Sequence, residues 1–166
     1  MTMFEPAQDS ARVVAPPPLI GLGALLTGLG LDWILPAGLV TTMLPLWTRL
    51  VLGGALVAGG FILMQTAKRA FQNLGTEVKP WLPSTRIVAS GPYRRMRNPM
   101  YVAGVLIIAG LALALASDWI LVMLVPTAIV LHYGVVLREE RYLERKFGDA
   151  YRQYREAVPR YGWRAT

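Results

Sequence analysis

Long apolar runs, separated by short polar segments, constrain the fold of this chain more than any other feature of its sequence. Four of them are present, over residues 19–35, 47–67, 100–116 and 119–137. Of the 166 residues, 54% are hydrophobic, whereas roughly 45–50% is usual in soluble domains. The third run would form a helix roughly 25 Å long, short against a hydrocarbon core of about 30 Å. We therefore predict an all-α fold: an integral membrane bundle of about four transmembrane helices, followed by a C-terminal amphipathic helical segment.

Small residues and helix-breaking residues indicate how these helices pack and end. The first two runs are rich in glycine, which lets a neighbouring helix approach closely. The glycines concerned are Gly21, Gly23, Gly28, Gly30, Gly53, Gly54, Gly59 and Gly60. Pro36 ends the first helix, and Ser117-Asp118 indicates a tight hairpin between the third and fourth helices, with one of these two residues as N-cap. Further along, Gly148 can end one amphipathic helix and Asp149 can cap the next.

The positive charge is gathered in two segments. The net charge is +7, and fifteen of the seventeen lysines and arginines lie in residues 68–97 and 138–164. Because these residues flank apolar runs, the positive-inside rule explains them better than nucleic-acid binding does. Both segments, and with them both termini, are expected in the cytosol. We predict membrane lipids and no nucleic acid as partners, while the sequence leaves the oligomeric state open.

These patterns divide a single membrane domain, residues 1–166, into five parts. They are an N-terminal cytosolic segment (1–17), two scaffold transmembrane helices (18–69), a cytosolic loop (70–99), a transmembrane hairpin (100–137) and a cytosolic amphipathic tail (138–166). In the tail, apolar residues recur at three- and four-residue steps, which places them on one helical face. They are Leu143, Phe147, Tyr151, Tyr154 and Val158. Such a tail lies on the membrane surface or packs under the bundle.

Composition excludes several chemistries. The chain has no cysteine, so disulfides, thiolate metal sites and thiol nucleophiles are excluded. It has one histidine, His132, which rules out most imidazole-rich metal centres. We predict no bound metal.

Two polar clusters flank the hairpin. One is the string GPYRRMRNPMY, residues 91–101, and the other begins at Arg138-Glu139-Glu140 and continues through residues 147–154. Because a hairpin returns the chain to its starting side, the clusters must face each other. The sequence therefore predicts a cytosolic pocket built from arginines, tyrosines, an asparagine and two carboxylates.

The two strings GPYRRMRNPMY and REERYLERKFGDAYRQYREAVPR, separated by an apolar hairpin, resemble the isoprenylcysteine carboxyl methyltransferase and phospholipid methyltransferase superfamily. The resemblance covers residues 72–160, includes the loop sequence GTEVKP at 75–80, and is strongest to short bacterial members. It implies an enzyme of the bacterial inner membrane that uses S-adenosyl-L-methionine on a lipophilic or amphipathic acceptor. The cofactor-binding residues it implies are Gly91, Tyr93, Arg97, Asn98, Pro99, Tyr101, Glu139 and Glu140. Many relatives have histidine at the position of Asn98, so the resemblance implies no acid/base role for Asn98 here.

The chemistry of these residue types fits the cofactor. A glutamate such as Glu139 or Glu140 can pair with its ammonium, and Arg97 or Arg138 can hold its carboxylate with two hydrogen bonds. Tyrosine rings can contact the sulfonium or stack on adenine. The candidate catalytic residues are His132, Glu139 and Arg138. Because His132 precedes Glu139 by seven residues, we expect the two on the same helix face, two turns apart. A prenylcysteine carboxylate needs no base, whereas a phospholipid amine must lose a proton to His132 or Glu139. A small hydrophobic acceptor is a third alternative.

Simpler explanations exist for several of these residues. His132 can be a buried histidine bonded to a neighbouring helix, and Arg94 and Arg95 can be anchors for lipid phosphates. For Tyr151 and Tyr154 we expect packing rather than cofactor contact. The main rival function is a noncatalytic membrane protein that binds anionic lipids through its basic loop and tail. A membrane reductase with a nicotinamide cofactor is a further rival, supported by fold analogy alone.

Overall fold

A computed structural model of the chain describes residues 10–38, 41, 43–75 and 84–162. Its helices are α1 (Pro17–Ile34), α2 (Leu46–Gln72), α3 (Pro99–Leu115), α4 (Asp118–Leu131), α5 (Leu137–Phe147) and α6 (Asp149–Ala157). A 3-10 turn, Gly91–Arg94, precedes α3, and a π-helical turn, His132–Val136, joins α4 to α5. Within the described ranges there is no strand. Residues 1–9, 76–83 and 163–166, parts of the predicted N-terminal segment, loop and tail, lie outside the described residues.

The membrane helices follow the apolar runs. Pro17–Ile34, Leu46–Gln72 and the combined helix Asp118–Phe147 are long and apolar enough to cross a bilayer, and Pro99–Leu115 is a shorter apolar helix. The predicted all-α membrane bundle of about four helices is confirmed. The second helix continues beyond its predicted end at Ala67, because polar residues end the apolar surface without breaking the backbone hydrogen bonds.

Two glycines allow α2 and α3 to pack closely. A Cβ atom on Gly53 would lie 2.6 Å from the carbonyl oxygen of Gly110, and a Cβ atom on Gly110 would lie 2.6 Å from that of Gly53. Gly60 is similarly close to Ala103. Four other glycines predicted to form packing faces have no atom within 4 Å of a built Cβ: Gly23, Gly30, Gly54 and Gly59. The small-residue pattern therefore locates the helix interface, and only some of its members touch the partner helix.

The helices associate in two pairs. The α2 helix packs along α3, and α1 packs along α4, with Gly28 against Ile120. By contrast, α1 and α2 hardly touch each other. The bundle is therefore open between its first two helices on the side away from α4.

The hairpin between α3 and α4 is fixed by hydrogen bonds at its turn. The Ser117 hydroxyl accepts from the backbone N–H of Ile120, as an N-cap should. Asp118 is buried and accepts from the backbone N–H of Thr41, whose hydroxyl donates to the carbonyl of Ala116. Asp118 therefore holds the short connection between α1 and α2 against the hairpin.

The fourth helix differs from its predicted form. It does not end at Leu137 but runs without a break through the π-helical turn to Phe147. A π turn accommodates one extra residue, so it rotates the helix beyond the turn by about 100° relative to an uninterrupted α-helix. The expectation that His132 and Glu139 share one helix face assumed an uninterrupted helix, and it is corrected by this turn.

The amphipathic tail is divided by Gly148, which has φ of 56° and ends α5 as predicted. Asp149 is the first residue of α6 rather than its N-cap, and its carboxylate pairs with Arg152. The tail packs under the bundle. The backbone N–H of Arg97 donates to the carbonyl of Pro159 at 2.9 Å, so the loop and the tail meet at one end.

Substitution of Gly110 by leucine tests the close α2–α3 contact. The side chain would overlap Gly53 and Val57, and overpacking of this kind costs about 1–3 kcal/mol. We expect the melting temperature in detergent, followed by circular dichroism, to fall by roughly 2–12 °C. Gly54→Leu is the matched control, because nothing lies within 4 Å of a Cβ there. Equal melting temperatures for the two variants would contradict the assigned interface.

Candidate active site

A polar cavity lies where the loop before α3, the start of α3, and helices α5 and α6 meet. Its free volume is about 70 Å³. It is lined by Phe71, Ser84, Arg86, Ile87, Val88, Tyr93, Arg97, Asn98, Met100, Tyr101, Glu139, Glu140, Leu143, Tyr151 and Tyr154. The two sequence clusters that flank the hairpin therefore do face each other.

Glu140 is the centre of a buried ion-pair network. Its two carboxylate oxygens accept from Nε and Nη2 of Arg160 at 2.9 and 2.7 Å, a two-point contact. Arg97 Nη2 lies 3.3 Å from the same carboxylate. The negative charge of Glu140 is thus shared by two guanidinium groups, and Glu140 holds the Arg97 side chain in place.

Arg97 has donor atoms left over. Its side chain is 8% exposed, and its Nε and Nη1 atoms are buried without a hydrogen-bond partner among the described residues. Buried N–H groups are almost always paired, and an unpaired one costs free energy, more so when it is charged. Arg97 also lines the polar cavity, so an anionic group that reached these donors from the cavity, such as a carboxylate, would satisfy them.

Glu139 supplies a second, separate carboxylate. The Tyr101 hydroxyl donates to its Oε2 at 2.8 Å. In the described parts of the chain Glu139 has no ion-pair partner, in contrast to its neighbour Glu140. Glu139 therefore remains available to a cationic group in the polar cavity.

Three tyrosines complete the wall. Tyr93 packs edge-on against Phe71 with ring centroids 5.2 Å apart, and the Tyr154 hydroxyl donates to the Tyr93 carbonyl at 2.8 Å. Burial raises the pKa of Tyr93, Tyr151 and Tyr154 well above that of a free phenol. All three therefore stay neutral near neutral pH and offer uncharged aromatic faces.

The segment after α6 contributes the last contacts of the site. The backbone N–H and side-chain Nδ2 of Asn98 both donate to the carbonyl of Arg160, at 3.2 and 3.3 Å. Together with the bond from Arg97 to Pro159, these bonds fix the residues that immediately precede α3. The segment also supplies the guanidinium that pairs with Glu140.

The sequence-predicted site residues divide into two groups. Those that line the polar cavity are Tyr93, Arg97, Asn98, Tyr101, Glu139 and Glu140, whereas Gly91, Pro99, His132 and Arg138 do not line it. Gly91 has φ of 56°, which glycine adopts without strain, and Pro99 is the first residue of α3. These local backbone roles account for Gly91 and Pro99 without a cofactor contact.

The other two, His132 and Arg138, lie outside the cavity wall. His132 Nδ1 is 2.8 Å from the Tyr161 hydroxyl, and its ring packs edge-on against Tyr133. Arg138 donates through Nη1 to the carbonyl of Arg12 at 3.0 Å, on the exposed surface. Their catalytic roles stay predictions.

Sequence reasoning missed several residues of the site. Arg160 lies inside the string that carries the family resemblance. No local sequence pattern, however, connects it with Glu140, the residue that it pairs with. Tyr151 and Tyr154 were expected to pack, and they both pack and line the cavity. The irregular segment at residues 84–88 has no periodicity that could place it.

A second, apolar cavity lies between α1, α2 and α3 and has a volume of about 620 Å³. It is lined by Pro17, Pro18, Gly21, Leu22, Leu25, Met64, Lys68, Gln72, Met100, Tyr101, Gly104, Ile107, Ile108 and Leu131. Met100 and Tyr101 line both cavities. The polar and apolar cavities therefore adjoin at the first turn of α3. In the described ranges no group of acidic or histidine side chains could hold a metal ion.

Comparisons with known proteins assign the chain to a family. The family model for phospholipid methyltransferases matches residues 48–150, from α2 to the start of α6. A Haemophilus influenzae protein described as uncharacterized is 36% identical over 62 residues, which are 37% of this chain and 98% of that protein. No solved structure matches. Since the family match covers more than half of its length, the chain belongs to the phospholipid methyltransferase family and is a methyltransferase of the membrane.

Proposed function

We propose that the enzyme uses S-adenosyl-L-methionine to methylate a lipophilic or amphipathic acceptor that reaches it from the bilayer. One observation carries the proposal. A cavity that combines unpaired buried guanidinium nitrogens of Arg97 with the carboxylate of Glu139 adjoins an apolar cavity through Tyr101. The first cavity suits a zwitterionic cofactor, and the second suits a hydrocarbon chain.

The donor set fits the charged end of the cofactor. Arg97 would hold the carboxylate of its amino acid moiety with two hydrogen bonds, and Glu139 would pair with the ammonium. The neutral rings of Tyr93, Tyr151 and Tyr154 would face the sulfonium or the adenine. When bound, the cofactor supplies an activated methyl group, and the protein contributes position and exclusion of water.

The polar cavity must widen to admit this ligand. Its free volume of about 70 Å³ is below the ~300–1,000 Å³ of pockets that enclose small molecules. Apart from Arg97 and Asn98, the wall residues that lie in neither helix nor turn belong to the segment at residues 84–88. This segment is held to α5 by a bond from the Ser84 backbone N–H to the Tyr142 hydroxyl at 3.1 Å. Movement of this segment would open the cavity without disturbing the Arg97–Glu140–Arg160 network.

The acceptor would enter between α1 and α2, where the bundle is open. Its apolar part would occupy the apolar cavity, and its reacting group would lie beside Tyr101, facing the polar cavity. A prenylcysteine carboxylate, a phospholipid amine and a small hydrophobic molecule remain candidates. For an amine, Glu139 would serve as the base in place of its pairing with the cofactor's ammonium, since it lines the polar cavity and His132 lines neither cavity.

The topology is part of the proposal. One end of the bundle holds residues 10–15, the loop before α3 and the tail. There the backbone N–H of Val14 donates to the carbonyl of Gly134, and the backbone N–H of Arg97 donates to the carbonyl of Pro159. The excess of lysine and arginine there supports a cytosolic location for this end, with both termini on that side of a bacterial inner membrane.

Removal of the Arg97 charge tests the cofactor site. We expect Arg97→Gln to weaken S-adenosylhomocysteine binding about 10- to 150-fold, because hydrogen bonds to a charged group contribute about 1.5–3 kcal/mol. Isothermal titration calorimetry of the protein in nanodiscs measures this affinity. Arg94→Gln is the matched control, since Arg94 is exposed and outside the cavity wall. Equal affinity in the two variants, or no binding to the wild type, would contradict the proposal.

Filling the apolar cavity tests the acceptor site. A Cβ atom on Gly104 has nothing within 4 Å, so Gly104→Leu should fold normally while its side chain occupies the cavity. We expect kcat/KM for methyl transfer to phosphatidylethanolamine or S-farnesylcysteine to fall more than about 10-fold, with S-adenosylhomocysteine affinity unchanged. Gly59→Leu, which also meets no atom but lies outside the cavity wall, should retain activity. Full activity of Gly104→Leu would exclude this cavity as the acceptor site.

A further inference from the structure

The cytosolic end of the apolar cavity carries a polar feature that the scaffold interpretation of α2 did not anticipate. Met64, Lys68 and Gln72 are four residues apart on α2, so they form one stripe along the helix. All three line the apolar cavity. The stripe changes from apolar to polar toward the end of the helix where the polar cavity lies.

The remaining wall makes this change distinctive. Among the described residues that line the apolar cavity, Lys68 is the charged one, and Gln72 and Tyr101 are the other polar ones. The rest are proline, glycine and aliphatic side chains from α1, α3 and α4 together with two methionines. A ligand with a hydrocarbon chain would therefore meet an ammonium and an amide at one end of an otherwise apolar space.

We propose that the acceptor is an amphiphile whose headgroup carries an anion, a phosphate or a carboxylate, and that Lys68 with Gln72 recognises this anion. The inference rests on the proposed function and deepens it by narrowing the acceptor class. Lys68 and Gln72 are exposed at the cytosolic end of α2, where the headgroup of a bound amphiphile would contact them. A neutral hydrophobic acceptor would make no use of the Lys68 charge.

The arrangement also orients the acceptor. Lys68 and Gln72 belong to α2, whereas Tyr101 belongs to α3 and separates the apolar cavity from Glu139. The acceptor's anion would contact α2, and its chain would lie between α1 and α2. Its headgroup would then be beside Tyr101, with the methyl donor on the other side of Tyr101. Lys68 is therefore a specificity-determining residue, not a group that takes part in the transfer.

An ordinary membrane anchor would not require this placement. Arg69, the next residue, is equally basic and exposed but does not line the cavity. If Lys68 served only to bind surface lipid phosphates, Lys68 and Arg69 would be interchangeable in their effect on the acceptor. If Lys68 recognises the acceptor, the two residues differ.

Binding of three single-chain probes would test the proposal: hexadecyl phosphate, hexadecanoate and hexadecanol. The purified full chain would be titrated with each probe by calorimetry in a neutral detergent, with S-adenosylhomocysteine at saturation. We expect one or both anions to bind about 5- to 50-fold more tightly than the alcohol. A preference for the phosphate or the carboxylate probe identifies which anion the acceptor carries.

The variants K68Q and R69Q form the matched pair. K68Q should lose the preference for the anionic probes while keeping its melting temperature and S-adenosylhomocysteine affinity, and R69Q should keep the preference. Equal binding of all three probes to the wild type, an unchanged preference in K68Q, or an equal loss in R69Q would overturn the inference. Failure of the wild type to bind S-adenosylhomocysteine would instead overturn the proposed function, so the two failures are distinguishable.

Discussion

The candidate site depends on one buried carboxylate, Glu140, held between Arg97 and Arg160. Arg97 precedes α3, Glu140 belongs to α5, and Arg160 follows α6, so this network joins three segments that are distant in sequence. Loss of one partner from a buried ion pair typically costs about 3–5 kcal/mol, because the remaining charge stays buried and unpaired. The polar cavity exists in its present form because these three segments are held together at this point.

The network also separates the roles of two adjacent carboxylates. Neighbouring residues on an α-helix point about 100° apart, so Glu139 and Glu140 cannot face the same partners. Glu140 faces the two arginines and is neutralised, whereas Glu139 faces Tyr101 and has no cation in the described parts of the chain. The π-helical turn immediately before α5 sets which residue faces which partner. An uninterrupted helix would rotate α5 by about 100°, and the two carboxylates would no longer both face these partners.

The sequence predicted the features that depend on local chemistry. Apolar runs are visible as such, so the spans and the hairpin with its Ser117 cap could be placed, and the facing of the two clusters follows from the hairpin. It did not predict the π turn, because periodicity assumes an unbroken helix, and the shared face expected for His132 and Glu139 was wrong for that reason. Arg160 was missed because its partner Glu140 lies twenty residues away, on α5, and a long-range contact leaves no local pattern.

The first two helices show the same limit more strongly. Hydropathy treats every apolar residue alike, so it could not distinguish a face that touches lipid from a face that lines a cavity. Gly21 and Gly23 look equivalent in sequence, yet Gly21 borders the apolar cavity and Gly23 does not. The difference arises from pairing: α2 packs tightly on α3 through Gly53 and Gly110, α1 packs on α4, and the space left between the two pairs extends to Tyr101. The close contact of α2 with α3 thus leaves the apolar cavity open toward α1. That cavity adjoins the polar cavity, which Arg97 lines.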